Sequence, residues 1–161
     1  MELDELYDRY GEKMYHYLAL RLGSSEDAED VLQETFCRLA RYSVRWALVR
    51  NPKAFVFKVL RNEANRHLVR RTQQRVVGQK YPEHQNLPVF VIDDAAENSA
   101  AIISQALSRL PDDQKEIIIL RIFQDFSFKE IAAVCGLSIN TAASRYRYGI
   151  EKLRSSMEGK V

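Results

Sequence analysis

The feature that most restricts the fold is the spacing of the apolar residues, which recur every three to four positions from Leu3 to Leu68, lose that period from Val76 to about Glu97, and regain it as far as Leu153. Leu3, Leu6, Tyr7, Tyr10, Met14, Tyr17, Leu18 and Leu22 predict a first helix that stops at Gly23. A second is expected from Glu26 to Tyr42, capped by Ser24 or Ser25, with Glu26, Asp27, Glu29 and Asp30 near its positive end and Val31, Leu32, Phe36 and Leu39 facing inward. Residues 43–51 lose the period and carry the single tryptophan, Trp46, which predicts a loop. Pro52 suits the first position of a third helix with Phe55, Val59, Leu60, Ala64 and Leu68 inside and Lys58, Arg61, Asn62, Asn65, Arg66 and Arg70 outside. Pro82 and Pro88 break the chain after that, so residues 76–97 read as a flexible linker, with "PVFVI" extended because a lone strand has nothing to pair with. Four more helical segments follow, over 98–110, 111–123, 127–135 and 138–157. The expected fold is all-α: two small helical domains, 1–75 and 98–161, joined by that linker.

Net charge is only +2, yet its distribution is uneven. Residues 1–40 hold ten acidic and four basic side chains, whereas residues 41–75 hold one acidic and ten basic. Solvated helix faces of unlike sign would give the same pattern; two surfaces with different partners is the sharper reading. No apolar run approaches the ~20 residues that cross a bilayer, and the acidic start lacks the form of a secretory signal, so no membrane insertion and a cytoplasmic location are expected. Cys37 and Cys135 have no neighbouring ligand at metal spacing, and neither a disulfide nor zinc is expected.

The most specific stretch is "SFKEIAAVCGLSINTAASRYRYGIEKLR". Ser127 and Glu130 form a capping box, Ala132 is a small inner residue, Gly136 permits a sharp turn, and Ser138 caps the next helix. That is the sequence form of a helix-turn-helix, whose second helix enters the major groove of DNA by its N-terminal half. Along it Ile139, Ala142, Tyr146, Ile150 and Leu153 share one side, and Asn140, Thr141, Ser144, Arg145, Arg147 and Tyr148 the other. An ordinary αα-corner uses the same glycine and caps. It has no need for hydroxyls, an amide and guanidiniums on every outward position, which are groups that bond base edges and phosphates. In the first half Lys58, Arg61, Arg66, Arg70 and Arg71 offer a basic face to a phosphate backbone, and Asn62 and Asn65 can bond unpaired base edges. Trp46 either stacks on an extruded base or covers the core.

Three stretches together resemble the sigma-70 family of bacterial RNA polymerase factors, extracytoplasmic-function (ECF) subfamily. "DAEDVLQETFCRLARY" and "NPKAFVFKVLRNEANRHLVRR" are similar to region two, and the chain from "LSRLPDDQKEIIILRIF" to "EKLR" is similar to region four. The resemblance implies a dissociable specificity subunit whose partners are core RNA polymerase and promoter DNA, with an anti-sigma factor as a further partner class. It implies that Ser138, Asn140, Thr141, Ser144, Arg145, Arg147 and Tyr148 lie nearest the minus-thirty-five element. Trp46, Lys58, Arg61, Asn62, Asn65, Arg66 and Arg70 would hold the melted minus-ten element. Asp27, Asp30, Gln33 and Glu34 would dock on the polymerase clamp, and Asp93 and Asp94 would run toward the path of nascent RNA. The chain departs from the family at Ala40 and Phe55, where tryptophan is common, and at Arg66, where an acid is common. Promoter sequence is therefore not carried over.

Two other functions compete with this reading. A conventional helix-turn-helix regulator with an N-terminal dimerisation or sensor domain accounts for the second half but gives no reason for the basic excess in residues 41–75. An enzyme is not expected: His16, His67 and His84 are scattered, no nucleophile has a base at a recognisable spacing, and no Gly-rich phosphate loop or cofactor motif is present.

Overall fold

A computed structural model describes residues 2–42, 45–76 and 94–158. Among these it contains seven α-helices: α1 (Leu3–Leu22), α2 (Ser25–Arg41), α3 (Pro52–Val76), α4 (Asp94–Ser108), α5 (Asp112–Ile118), α6 (Phe128–Cys135) and α7 (Ile139–Glu158). A 3-10 turn, Trp46–Leu48, precedes α3, and a π-helical turn, Ile119–Phe123, extends α5.

The ends lie where local chemistry puts them. Gly23 closes α1 in the left-handed region (φ 70°), and Ser24 starts α2 by accepting a hydrogen bond from the Asp27 amide at 3.2 Å. Asn51, unremarked in the sequence, caps α3 by accepting from the Ala54 amide at 3.1 Å, directly before Pro52. α4 begins at Asp94, earlier than expected, so the second acid of the Asp93–Asp94 pair belongs to a helix rather than to a linker. Asp93 and the "PVFVI" segment lie outside the described residues.

α1, α2 and α3 pack together, and α5, α6 and α7 pack together, as expected for two helical domains. The two sets also pack on each other. One continuous apolar core runs from Leu6, Met14 and Leu18 through Val56, Phe57 and Leu60 to Ile117, Leu120, Phe126 and Ile131. At its centre Phe57 of α3 meets Phe126 edge-on, with ring centroids 5.0 Å apart, and Lys53 places its ammonium 4.2 Å from the Phe126 ring. Both rings are fully buried, so each half completes the other's core.

Candidate nucleic-acid interface

The outward side of α3 is split between two destinations. Lys58, Asn62 and Arg66, four residues apart, share one row, and with Tyr42, Arg45 and Phe55 they line a cavity of about 460 Å³ between the end of α2 and α3. Lys58, Asn62 and Arg66 are exposed, so a solute can reach them, although one Arg66 donor is engaged by Glu63. Trp46 packs edge-on against Phe55 (5.8 Å, 85°) and is half-buried on the core, so it covers the core and backs the Phe55 ring that lines the cavity. Beneath lies Glu63, 2% exposed, which pairs with Arg38 of α2 and, at 3.2 Å, with Arg66. It is the single acid of residues 41–75, and a lone carboxylate among ten cations was the signal that could have revealed it.

The adjacent row, Arg61 and Asn65, does not join this cavity, contrary to the sequence reading. Arg61 donates through Nε to Glu116 of α5, and Asn65 accepts from Arg21 at 2.6 Å. The hub is Glu116, 3% exposed, which also accepts from the Tyr17 hydroxyl at 3.2 Å and lies 3.8 Å from Arg21. Arg21 in turn reaches Asp112 at 3.0 Å. A charge inside the apolar run "KEIIIL" marks this position, and only a facing cation could make it tolerable. Burial and then the neighbouring Glu116 carboxylate push the Cys135 thiol up to about 12. Arg70 stays exposed further along α3, donating to the Arg66 carbonyl. Arg71, read as part of the basic face, instead donates to the Leu22 carbonyl at 3.1 Å.

In the second half, α6 and α7 form the expected helix-turn-helix. The Ser127–Glu130 capping box is complete, and Gly136 turns the chain at φ 67°. Burial alone would raise the Glu130 carboxyl, but hydrogen bonds from Asn51 and Ser127 outweigh it and hold the carboxyl below its usual value. Ser138 accepts from the Thr141 amide at 3.1 Å and donates to its hydroxyl at 2.8 Å, so both hydroxyls serve the cap first. Ala142 is fully buried, and Tyr146 packs on Phe128 at 5.4 Å, as the inner stripe requires. Ile139 is the exception at 50% exposed, because the first turn of α7 projects beyond α6. Asn140, Arg147 and Tyr148 form the exposed polar face, with the Arg147 guanidinium 5.4 Å from the Tyr148 ring. Ser144 and Arg145 are half-buried, and Arg145 Nε lies 3.7 Å from Asp113.

On α2 the exposed residues Asp30, Gln33 and Glu34 share one patch. Asp27 does not belong to it. Only 4% exposed, it faces α3, 3.3 Å from His67 and 3.9 Å from Arg71, so its carboxylate ties α2 to α3.

With this geometry in place, comparisons with known proteins place the chain. The family described as Sigma-70 region 2 matches residues 6–74, and the one described as Sigma-70, region 4 matches residues 100–153. The ECF RNA polymerase sigma factor SigL of Mycobacterium tuberculosis is 30% identical over 158 residues, spanning 95% of this chain and 87% of that protein. The sigma factor CarQ of Myxococcus xanthus is 28% identical over 94% of this chain and 86% of its own length. In fold, the chain is similar to the sigma factor RpoE of Bartonella quintana, solved with the anti-sigma factor NepR, at a TM-score of 0.80 and 22% identity over 98% of both chains. The chain belongs to the sigma-70 family of RNA polymerase sigma factors, within its ECF group.

Proposed function

We propose that the chain binds core RNA polymerase and directs initiation by gripping promoter DNA at two places, through units spanning residues 1–75 and 98–161. The cavity flanked by Phe55, Lys58, Asn62 and Arg66 receives a base of the melted minus-ten strand. Cations at its rim meet the backbone, the Asn62 amide meets the base edge, and the rings of Tyr42 and Phe55 give a stacking surface. Asn140, Arg147 and Tyr148, with Ser144 and Arg145 behind them, meet the duplex minus-thirty-five element in the major groove. Asp30, Gln33 and Glu34 dock on polymerase. The observation that carries this reading is the convergence of Lys58, Asn62 and Arg66 with the rings of Tyr42 and Phe55 around one cavity, on a helix next to the exposed acidic face of α2.

Arg61 adds a condition. It bonds across the seam to Glu116 of α5, so it reaches DNA only once the second half moves away from α3, whereas Asn65 is held within the first half by Arg21 of α1. Binding to polymerase is the event that separates the halves, and the isolated chain is a closed, weak DNA binder. Mixing the chain with core polymerase and a promoter library, then sequencing transcript starts, tests the function. Starts beneath a shared pair of upstream elements are expected, and a start profile identical to core polymerase alone would refute it. A relative solved with an anti-sigma factor supports a partner of that class for this chain as well.

A further inference from the structure

The closed seam holds a second cavity, of about 450 Å³, at the C-terminal end of α1. Its walls come from both halves: Arg21 from α1, Arg71 and Arg75 from α3, and Asp112 and Lys115 from α5. Among the described residues four cations and one carboxylate line it, and two of the cations have a further carboxylate behind them, Arg21 at 3.8 Å from Glu116 and Arg71 at 3.9 Å from Asp27. Part of this is explained without a ligand. Lys115 donates to the Arg21 carbonyl at 2.8 Å and Arg71 to that of Leu22 at 3.1 Å, which satisfies the last carbonyls of α1.

The surplus is not explained in that way. Two of the three Lys115 donors remain, exposed Arg75 makes no ion pair among the described residues, and the buried Nε of Arg21 finds no acceptor there. Burial, together with the charges of Arg21 and Arg71 acting against Asp112, pushes the Lys115 ammonium down to about 8. Lys115 and Arg75 are thus cations of the cavity with no carboxylate in ion-pair reach among the described residues. Phosphate oxygens fit it in kind: they accept from guanidinium and ammonium together, and two linked phosphates carry about three negative charges. The volume exceeds what one phosphate fills and falls within the range of small-molecule sites.

We propose that this cavity binds a diphosphate group, and that the bound group bridges the two halves and holds the chain closed. The regulatory consequence rests on the sigma-factor reading above; the binding itself does not. Isothermal titration of the full chain at constant ionic strength tests it, using pyrophosphate and ADP as probes and inorganic phosphate and sulfate as references. Pyrophosphate is expected to bind, Arg75→Gln to weaken it about tenfold, and the Lys115 side-chain titration, followed by NMR, to move upward when pyrophosphate is added. Tighter binding of ADP than of pyrophosphate assigns the natural source to a nucleotide, and the reverse assigns it to free diphosphate. Equal binding to wild type and Arg75→Gln, sulfate matching pyrophosphate, or an unmoved Lys115 titration overturns the proposal. So does a short DNA strand that displaces pyrophosphate at lower concentration, since the cations then serve a nucleic-acid backbone. Loss of binding with promoter-directed transcription intact removes the anion site alone; binding with no transcription removes only the sigma-factor reading.

Discussion

At the scale of single residues, the chain places charge where apolar side chains would suffice, and each instance has a partner across a helix boundary. Glu63 ties α3 to α2, Asp27 ties α2 to α3, and Glu116 ties the second half to the first. Lys115 has the least favourable environment of these groups, and its sign can be followed through pH. Its ammonium is disfavoured in the folded chain, with a pKa of about 8 against 10.5 for the free side chain. In the window between those values the unfolded chain binds more protons, so stability rises with pH there, by an amount on the order of 3 kcal/mol. Urea denaturation of wild type and Lys115→Met across that window should show wild type gaining on the variant as pH rises. A constant difference would mean that Asp112 offsets the burial in full.

At the scale of elements, the closest approach is that of α7 to α5. A Cβ built on Gly149 would sit 2.7 Å from Ile118 Cδ1, and Ile118 is fully buried with little room to yield. Gly149→Ala gains about 1 kcal/mol of helix propensity and loses about 1–3 kcal/mol to overpacking. The expected net result, read by thermal unfolding, is a loss of about 1 kcal/mol or a small shift of α7; stabilisation would show that Ile118 can turn aside. Most of the elements could be read from the sequence because caps and breakers are local: Gly23, Pro52, Ser127, Glu130 and Gly136 act within a few residues of themselves. The 3.6-residue period also separated the Ala142 and Tyr146 side of α7 from its Asn140 and Arg147 side. It could not say that Arg61 and Asn65 turn away from Lys58, Asn62 and Arg66. All five are polar and outward on an isolated helix, and only tertiary partners divide them: Glu116 of α5 takes Arg61, and Arg21 of α1 takes Asn65. Asp27 was misplaced for the same reason, since helix-end electrostatics and a buried tie to His67 favour the same residue at the same position.

At the scale of the molecule, the shared core and the Glu116 hub make the closed chain one cooperative body. Glu116→Gln leaves Arg61 without its carboxylate and Arg21 with Asp112 alone, so the variant should lose about 3 kcal/mol. It should also unfold in two steps as the halves part, where wild type unfolds in one; a single transition with unchanged midpoint would show that the hub contributes nothing to closure. Under the proposed function the opened molecule serves transcription, because opening frees Arg61 from Glu116 while both proposed DNA-facing surfaces stay available. The central claim is that the two halves read two separate promoter elements, and start-site sequencing of a randomised promoter library with Asn62→Ala and Arg147→Ala holoenzymes tests it most directly. The account predicts that Asn62→Ala relaxes base preference only near the start and Arg147→Ala only upstream, each leaving the other element's preference intact. Both variants relaxing the same element, or neither changing the preferred bases, would contradict it.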